Sequence, residues 1–132
     1  MPVEAHELAC LHQGLSYFRT ADYYAAHDAW EEVWQGLRGY PRLFWQGMIQ
    51  VVVGAYHYSN GNRRGCQGQW QKALQKCDTL LTLEAFQAPA QVQHVHAMLV
   101  HSLAAVERND DPLPALQTFA TAVMSEAWFT FV

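Results

Sequence analysis

The chain has 132 residues and a mass of 15.0 kDa, with 51% hydrophobic and 15% charged residues. That apolar content and a net charge of only -4 exclude a disordered chain, and the length fits one helical domain over residues 1–132, large enough to bury roughly two-thirds of the unfolded surface. Twelve acidic against eight basic residues argue against a duplex nucleic-acid binder, which needs a basic face to neutralise phosphates.

Period-2 alternation never persists, so the expected class is all-α, a compact bundle of five or six helices built from antiparallel hairpins. A first helix is expected from near Val3 to Arg19, with Leu8, Leu11, Leu15 and Phe18 at steps of three and four. Asp22 caps a second helix from Tyr23 to about Leu37, closed by Gly36, Gly39 and Pro41. Pro41 suits the first turn of a third helix that runs to Asn60 and stops at Gly61. Asn62 caps a fourth helix reaching Leu83 or Glu84. Pro89 opens a fifth, carrying Val92, Val95, Leu99, Leu103 and Val106 on one face as far as Arg108. The run Asn109-Asp110-Asp111-Pro112 caps a short sixth helix to about Met124 or later. The apolar tail from Ala127 to Val132 is expected to pack back on the bundle, or to serve as a surface for a homo-oligomer or protein partner.

An offset of 40 residues pairs Asp22 with Asn62, Phe18 with Tyr58 and Trp30 with Trp70. Each cap is then followed by a tryptophan at the same distance, the pattern of two stacked helical hairpins. Cys10, Cys66 and Cys77 form no C-x-x-C pair and read as reduced core thiols. The first residues lack the basic and apolar regions of a secretory signal, and the uncharged stretch after Leu43 is interrupted by polar groups. The expectation is a cytoplasmic protein without a membrane span.

Chemistry concentrates on the second and third helices. His27 and Glu31 are four apart and share a helix face, while Gln50 and His57 lie seven apart on an apolar stripe of the third helix. If the two helices pair antiparallel, the four side chains meet across the interface. Polar groups there are costly to bury unless each finds a partner, so the cluster is either a satisfied hydrogen-bond network or a site. His27, Glu31 and His57 supply the three ligands of an open zinc-type centre, with a divalent metal ion as the candidate cofactor.

The string His27-x-x-x-Glu31-x-x-Trp34, followed by Gln46-Gly47-Met48-Ile49-Gln50, His57 and Gly61-Asn62, resembles the small bacterial and archaeal family called domain of unknown function 309. The likeness covers about residues 15 to 80. It implies a compact helical bundle of undetermined activity, in which the His-x-x-x-Glu-x-x-Trp motif takes part in metal binding. Carried over, the motif positions are His27, Glu31 and Trp34, with Gln50, His57 and Asn62 beside them. The sequence departs from the family at Asp28, where Glu is usual, and at Cys66, where Ala is common.

Three functional readings follow. The leading one is a small binding or interaction module whose His-Glu cluster is structural. The second is a metal-dependent enzyme, a hydrolase acting through His27, Glu31 and His57. The third is a helical-repeat-like scaffold. The sequence names no substrate, and whether the chain is an enzyme stays open.

Overall fold

The computed structural model describes residues 5–83 and 89–130. The expected all-α class holds, with no strand among the described residues. The helices are α1 (Ala5–Arg19), α2 (Tyr23–Trp34), α3 (Gly39–Ser59), α4 (Arg63–Leu81), α5 (Pro89–Glu107) and α6 (Leu113–Thr118), followed by a π turn at Phe119–Val123 and a 3-10 turn at Glu126–Thr130. Each helix from α1 to α5 packs mainly on its neighbours in the chain, so the molecule is a file of antiparallel hairpins. None of the described helices is long and apolar enough to cross a membrane.

Three hairpin turns are built alike. In each, one residue adopts a left-handed conformation, at Ala21 (φ 63°), Gly61 (φ 77°) and Asn109 (φ 64°). The next N–H then reaches back to a carbonyl five residues earlier, from Asp22 to Tyr17, Asn62 to His57 and Asp110 to Ala105, each at 2.8 Å. This six-to-one bond satisfies a carbonyl that the helix end would otherwise orphan, and it sends the chain straight into the next helix. Asp22 and Asn62 cap α2 and α4 as expected, accepting from the N–H of Ala25 at 3.4 Å and of Gly65 at 2.9 Å. Asp111 accepts from Leu113 N–H at 2.9 Å at the start of α6.

The offset of 40 residues marks a physical repeat in the first two hairpins. Trp30 lies over Gly14 and donates its indole N–H to Leu11 O at 3.2 Å; Trp70 lies over Gly54 and donates to Val51 O at 2.9 Å. Both rings are fully buried. In each hairpin a glycine lets the indole touch helix backbone, and a carbonyl inside the helix takes on the indole N–H.

Several boundaries differ from the expected ones for identifiable reasons. α2 stops at Trp34, not Leu37, because Arg42 Nη1 donates to the carbonyls of Trp34 and Leu37, both at 3.1 Å, and replaces helical partners there. The guanidinium also sits 3.9 Å from the centre of the Trp34 ring, and the Trp34 indole donates to Arg42 O at 3.0 Å. α3 begins at Gly39 (φ 68°), two residues before Pro41. α4 ends at Leu81, and of the residues expected at the ends of helices, Val3 and Glu84 lie outside the described ones. α6 passes into the π turn at Phe119 rather than running to Met124.

The tail folds inward. Arg19 donates to Ala120 O at 2.8 Å and to Met124 O at 2.9 Å, and Gln117 donates to Phe18 O and Tyr23 Oη, both at 2.9 Å. Phe129 meets His12 and Trp45, while Trp128 meets Phe44 and Phe119. Trp128 and Phe129 are buried in the chain's own core. Their apolar area is already removed from water, while Phe131 and Val132 lie outside the described residues.

Candidate functional site

α2 and α3 lie side by side, and α4 covers the next edge of α3. Along this seam is a groove of about 290 Å³ lined by His27, Glu31 and Trp34 of α2, Gln46, Ile49, Gln50 and Val53 of α3, and Gln69 of α4. The spacings of four and three on α2 and of three and four on α3 place these groups on facing stripes. A second cavity of about 140 Å³ adjoins it, lined by Tyr23, Tyr24, His27, Val53, Tyr56 and His57. His27 and Val53 border both.

His27 is the best-held polar side chain of the seam. Its Nε2 is 2.7 Å from Glu31 Oε2 and its Nδ1 3.1 Å from Asp28 Oδ1, and 24% of the side chain remains exposed. Asp28, where the likeness departs from Glu, reaches the ring across one residue, whereas Glu31 reaches it across one helical turn. Gln50 turns its oxygen to Lys76 of α4 and accepts from Nζ at 2.8 Å. Burial, then the neighbouring Lys72, holds the Lys76 ammonium below its ordinary value.

The other motif residues do local structural work. Trp34 spends its indole N–H on Arg42 O and forms one wall of the groove. Asn62 caps α4 through its oxygen, and its Nδ2 lies 3.4 Å from His57 Nδ1. His57 therefore shares the aromatic-lined cavity with His27 but not the groove with Glu31. The metal centre expected on His27, Glu31 and His57 does not assemble: among the described residues, the donor atoms that gather within 4.8 Å of one another are those of a different trio. An indole N–H has no lone pair to give a metal, so Trp34 cannot complete the set. His27 and Glu31 form a close pair on their own, 2.7 Å apart.

The trio that does gather is His6 and Cys10 of α1 with Glu32 of α2. His6 Nε2 lies 2.7 Å from Glu32 Oε1, and Cys10 Sγ lies 3.7 Å from both His6 Nε2 and Glu32 Oε2. The His6 hydrogen bond lowers the Glu32 carboxyl, while burial and then the Glu32 charge raise the Cys10 thiol. Sequence reasoning missed this trio because His6 and Cys10 make an ordinary i,i+4 pair and Glu32 comes from another helix. The signal available was that spacing, with a cysteine in place of an aliphatic residue.

Residues 11–68 match the model of the family described as Domain of unknown function (DUF309). The matched segment contains the whole His27-to-Asn62 constellation, whereas His6 and Cys10 precede it. No curated protein and no solved structure matches the chain.

Proposed function

We propose that this protein is a small binding module whose ligand lies along the α2–α3 seam. The observation that carries this is the convergence of His27, Glu31, Gln46, Gln50 and Gln69 from three helices on one open groove of about 290 Å³. Sites for small molecules combine an apolar wall with a few convergent polar groups, and here Trp34, Ile49 and Val53 form the wall. The amides both donate and accept, and Glu31 accepts, so the ligand is a polar molecule with several donors and acceptors.

The adjoining cavity adds a second recognition element. Tyr24 and Tyr56 lie 5.3 Å apart and Tyr24 lies 5.6 Å from the His27 ring, with Tyr24 the more exposed of the two tyrosines. Aromatic faces of this kind take a flat ring or a cationic group. An elongated ligand with a planar or cationic head against the tyrosines and a polar portion beside Glu31 and the glutamines uses both spaces, with His27 between them.

The test is a screen of polar, ring-bearing metabolites against isotope-labelled protein, read on the side-chain amides of Gln46, Gln50 and Gln69 and on the His27 ring. Hits should move these signals together and lose at least tenfold in affinity in Glu31→Gln and Gln69→Ala. Binders that move other signals, or bind both variants as tightly as the wild type, defeat the proposal.

A further inference from the structure

The geometry points to a zinc-type metal site on His6, Cys10 and Glu32, separate from the α2–α3 seam. Its ligand is a divalent transition-metal ion of borderline softness, which favours one thiolate, one imidazole and one carboxylate together.

Distances carry the assignment. With Zn–S of about 2.3 Å and Zn–N and Zn–O of about 2.0 Å, tetrahedral angles place sulfur about 3.5 Å from each of the other ligand atoms, and nitrogen about 3.3 Å from oxygen. The thiol already stands 3.7 Å from both His6 Nε2 and Glu32 Oε2. Sulfur thus stands within a few tenths of an ångström of ligand spacing from the imidazole nitrogen and from one carboxylate oxygen, and one donor atom from each of the three residues falls within 4.8 Å of the others. The other oxygen, Glu32 Oε1, holds His6 Nε2 by a 2.7 Å hydrogen bond that an entering ion replaces as the imidazole and carboxylate part by roughly half an ångström. Their side chains are 71% and 59% exposed, so they are free to make that adjustment.

The supports differ in a useful way. Cys10 is buried at 4% exposure and fixed by the core, while the two exposed partners close over it from the solvent side. Glu32 also lines a groove of about 260 Å³ between α1 and α2, together with Gln13, Tyr17 and Asp28, which gives solvent access to the carboxylate side of the trio. Three protein ligands leave a fourth position for water or another donor, the pattern of an open site. On binding, the Cys10 S–H bond breaks, sulfur bonds to the ion, and the proton passes to solvent.

The experiment titrates Co(II) and then Zn(II) alone into the reduced full chain. One equivalent of Co(II) should raise a thiolate-to-cobalt charge-transfer band and strong visible bands of four-coordinate cobalt, and Zn(II) should displace it. Cys10→Ala should abolish the charge-transfer band. Should that variant fold poorly by circular dichroism, His6→Ala and Glu32→Gln decide, because both change exposed side chains; each should weaken Zn(II) binding at least tenfold. His27→Ala should leave the band and its stoichiometry unchanged. A wild type without the band, a band that survives in folded Cys10→Ala, affinity unchanged in both His6→Ala and Glu32→Gln, or a band lost in His27→Ala overturns the assignment.

Discussion

Gly54 and Gly68 both lie in helix interiors, yet the same substitution should act on them in opposite directions. A Cβ on Gly54 would stand 3.0 Å from Trp70 Cε2 and closer still to the neighbouring ring atoms, whereas a Cβ on Gly68 meets nothing within 4 Å. Carbon atoms pack at about 3.5–4.0 Å, so Gly54→Ala must push the indole or α4 away by the order of an ångström. Trp70 is fully buried and donates to Val51 O at 2.9 Å, so the ring cannot swing out without leaving a buried N–H unpaired. Overpacking costs about 1–3 kcal/mol. A lost hydrogen bond with a buried orphan costs about 1–3 kcal/mol more. The intrinsic helix preference for Ala over Gly returns only about 1 kcal/mol. Net destabilisation of about 2–4 kcal/mol is expected, or a fall in Tm of roughly 6–15 °C for a domain of this size. Gly68→Ala should instead gain about 0.5–1 kcal/mol. Urea and thermal unfolding followed by far-ultraviolet circular dichroism read both. The two alanine variants being equally stable, or Gly54→Ala exceeding the wild type, would refute the close-packed indole, and Gly14→Ala should reproduce the Gly54 result through Trp30.

Three further outcomes are expected. Asn62→Ala removes the acceptor for Gly65 N–H and should cost about 1 kcal/mol in chemical denaturation, with most of it restored by Asn62→Asp. Burial pushes the Cys66 and Cys77 thiols from an ordinary value of 9.0 up to about 12. Because folding raises these values, the stability they contribute is complete below pH 9.0 and is lost as pH climbs toward about 12, so urea midpoints should fall across that window and fall less in a Cys66→Ala/Cys77→Ala variant corrected for its lower baseline. Trp128→Ala should cost about 3–5 kcal/mol and leave the sedimentation behaviour of the folded chain unchanged, since its ring packs on Phe44 and Phe119 of the same molecule. An unchanged Tm together with a shift in sedimentation would place the ring in an interface between chains.

The sequence was a good guide wherever the controlling interaction is local. Caps at Asp22 and Asn62 announce themselves because a side-chain oxygen bonds an N–H three residues on, and helical periodicity marks the buried faces because a turn of helix fixes which residues align. The likeness of Trp30 to Trp70 likewise reported a repeated packing unit. The run at Asn109 was legible as the start of the sixth helix, but not its likeness to the other two turns, since the hairpin turn is defined by a left-handed residue and a backbone hydrogen bond, both of which Ala21, Gly61 and Asn109 satisfy with different side chains.

Tertiary structure decided everything that required two helices to be placed relative to one another. Spacing put His27 beside Glu31, but only the docking of α3 and α4 brought Gln50 and Gln69 to the same groove and sent His57 to the aromatic cavity instead. The early end of α2 depends on Arg42 reaching back across the corner to occupy its carbonyls. The tail was legible as apolar, yet the burial of Trp128 and Phe129 in the chain's own core follows from their packing on Phe44, Phe119, His12 and Trp45 of other elements. Glu32 joins His6 and Cys10 because α1 and α2 pack antiparallel through the Trp30 and Gly14 contact. Periodicity along one helix says which residues share its face; which face meets it is set by side-chain packing between elements far apart in sequence.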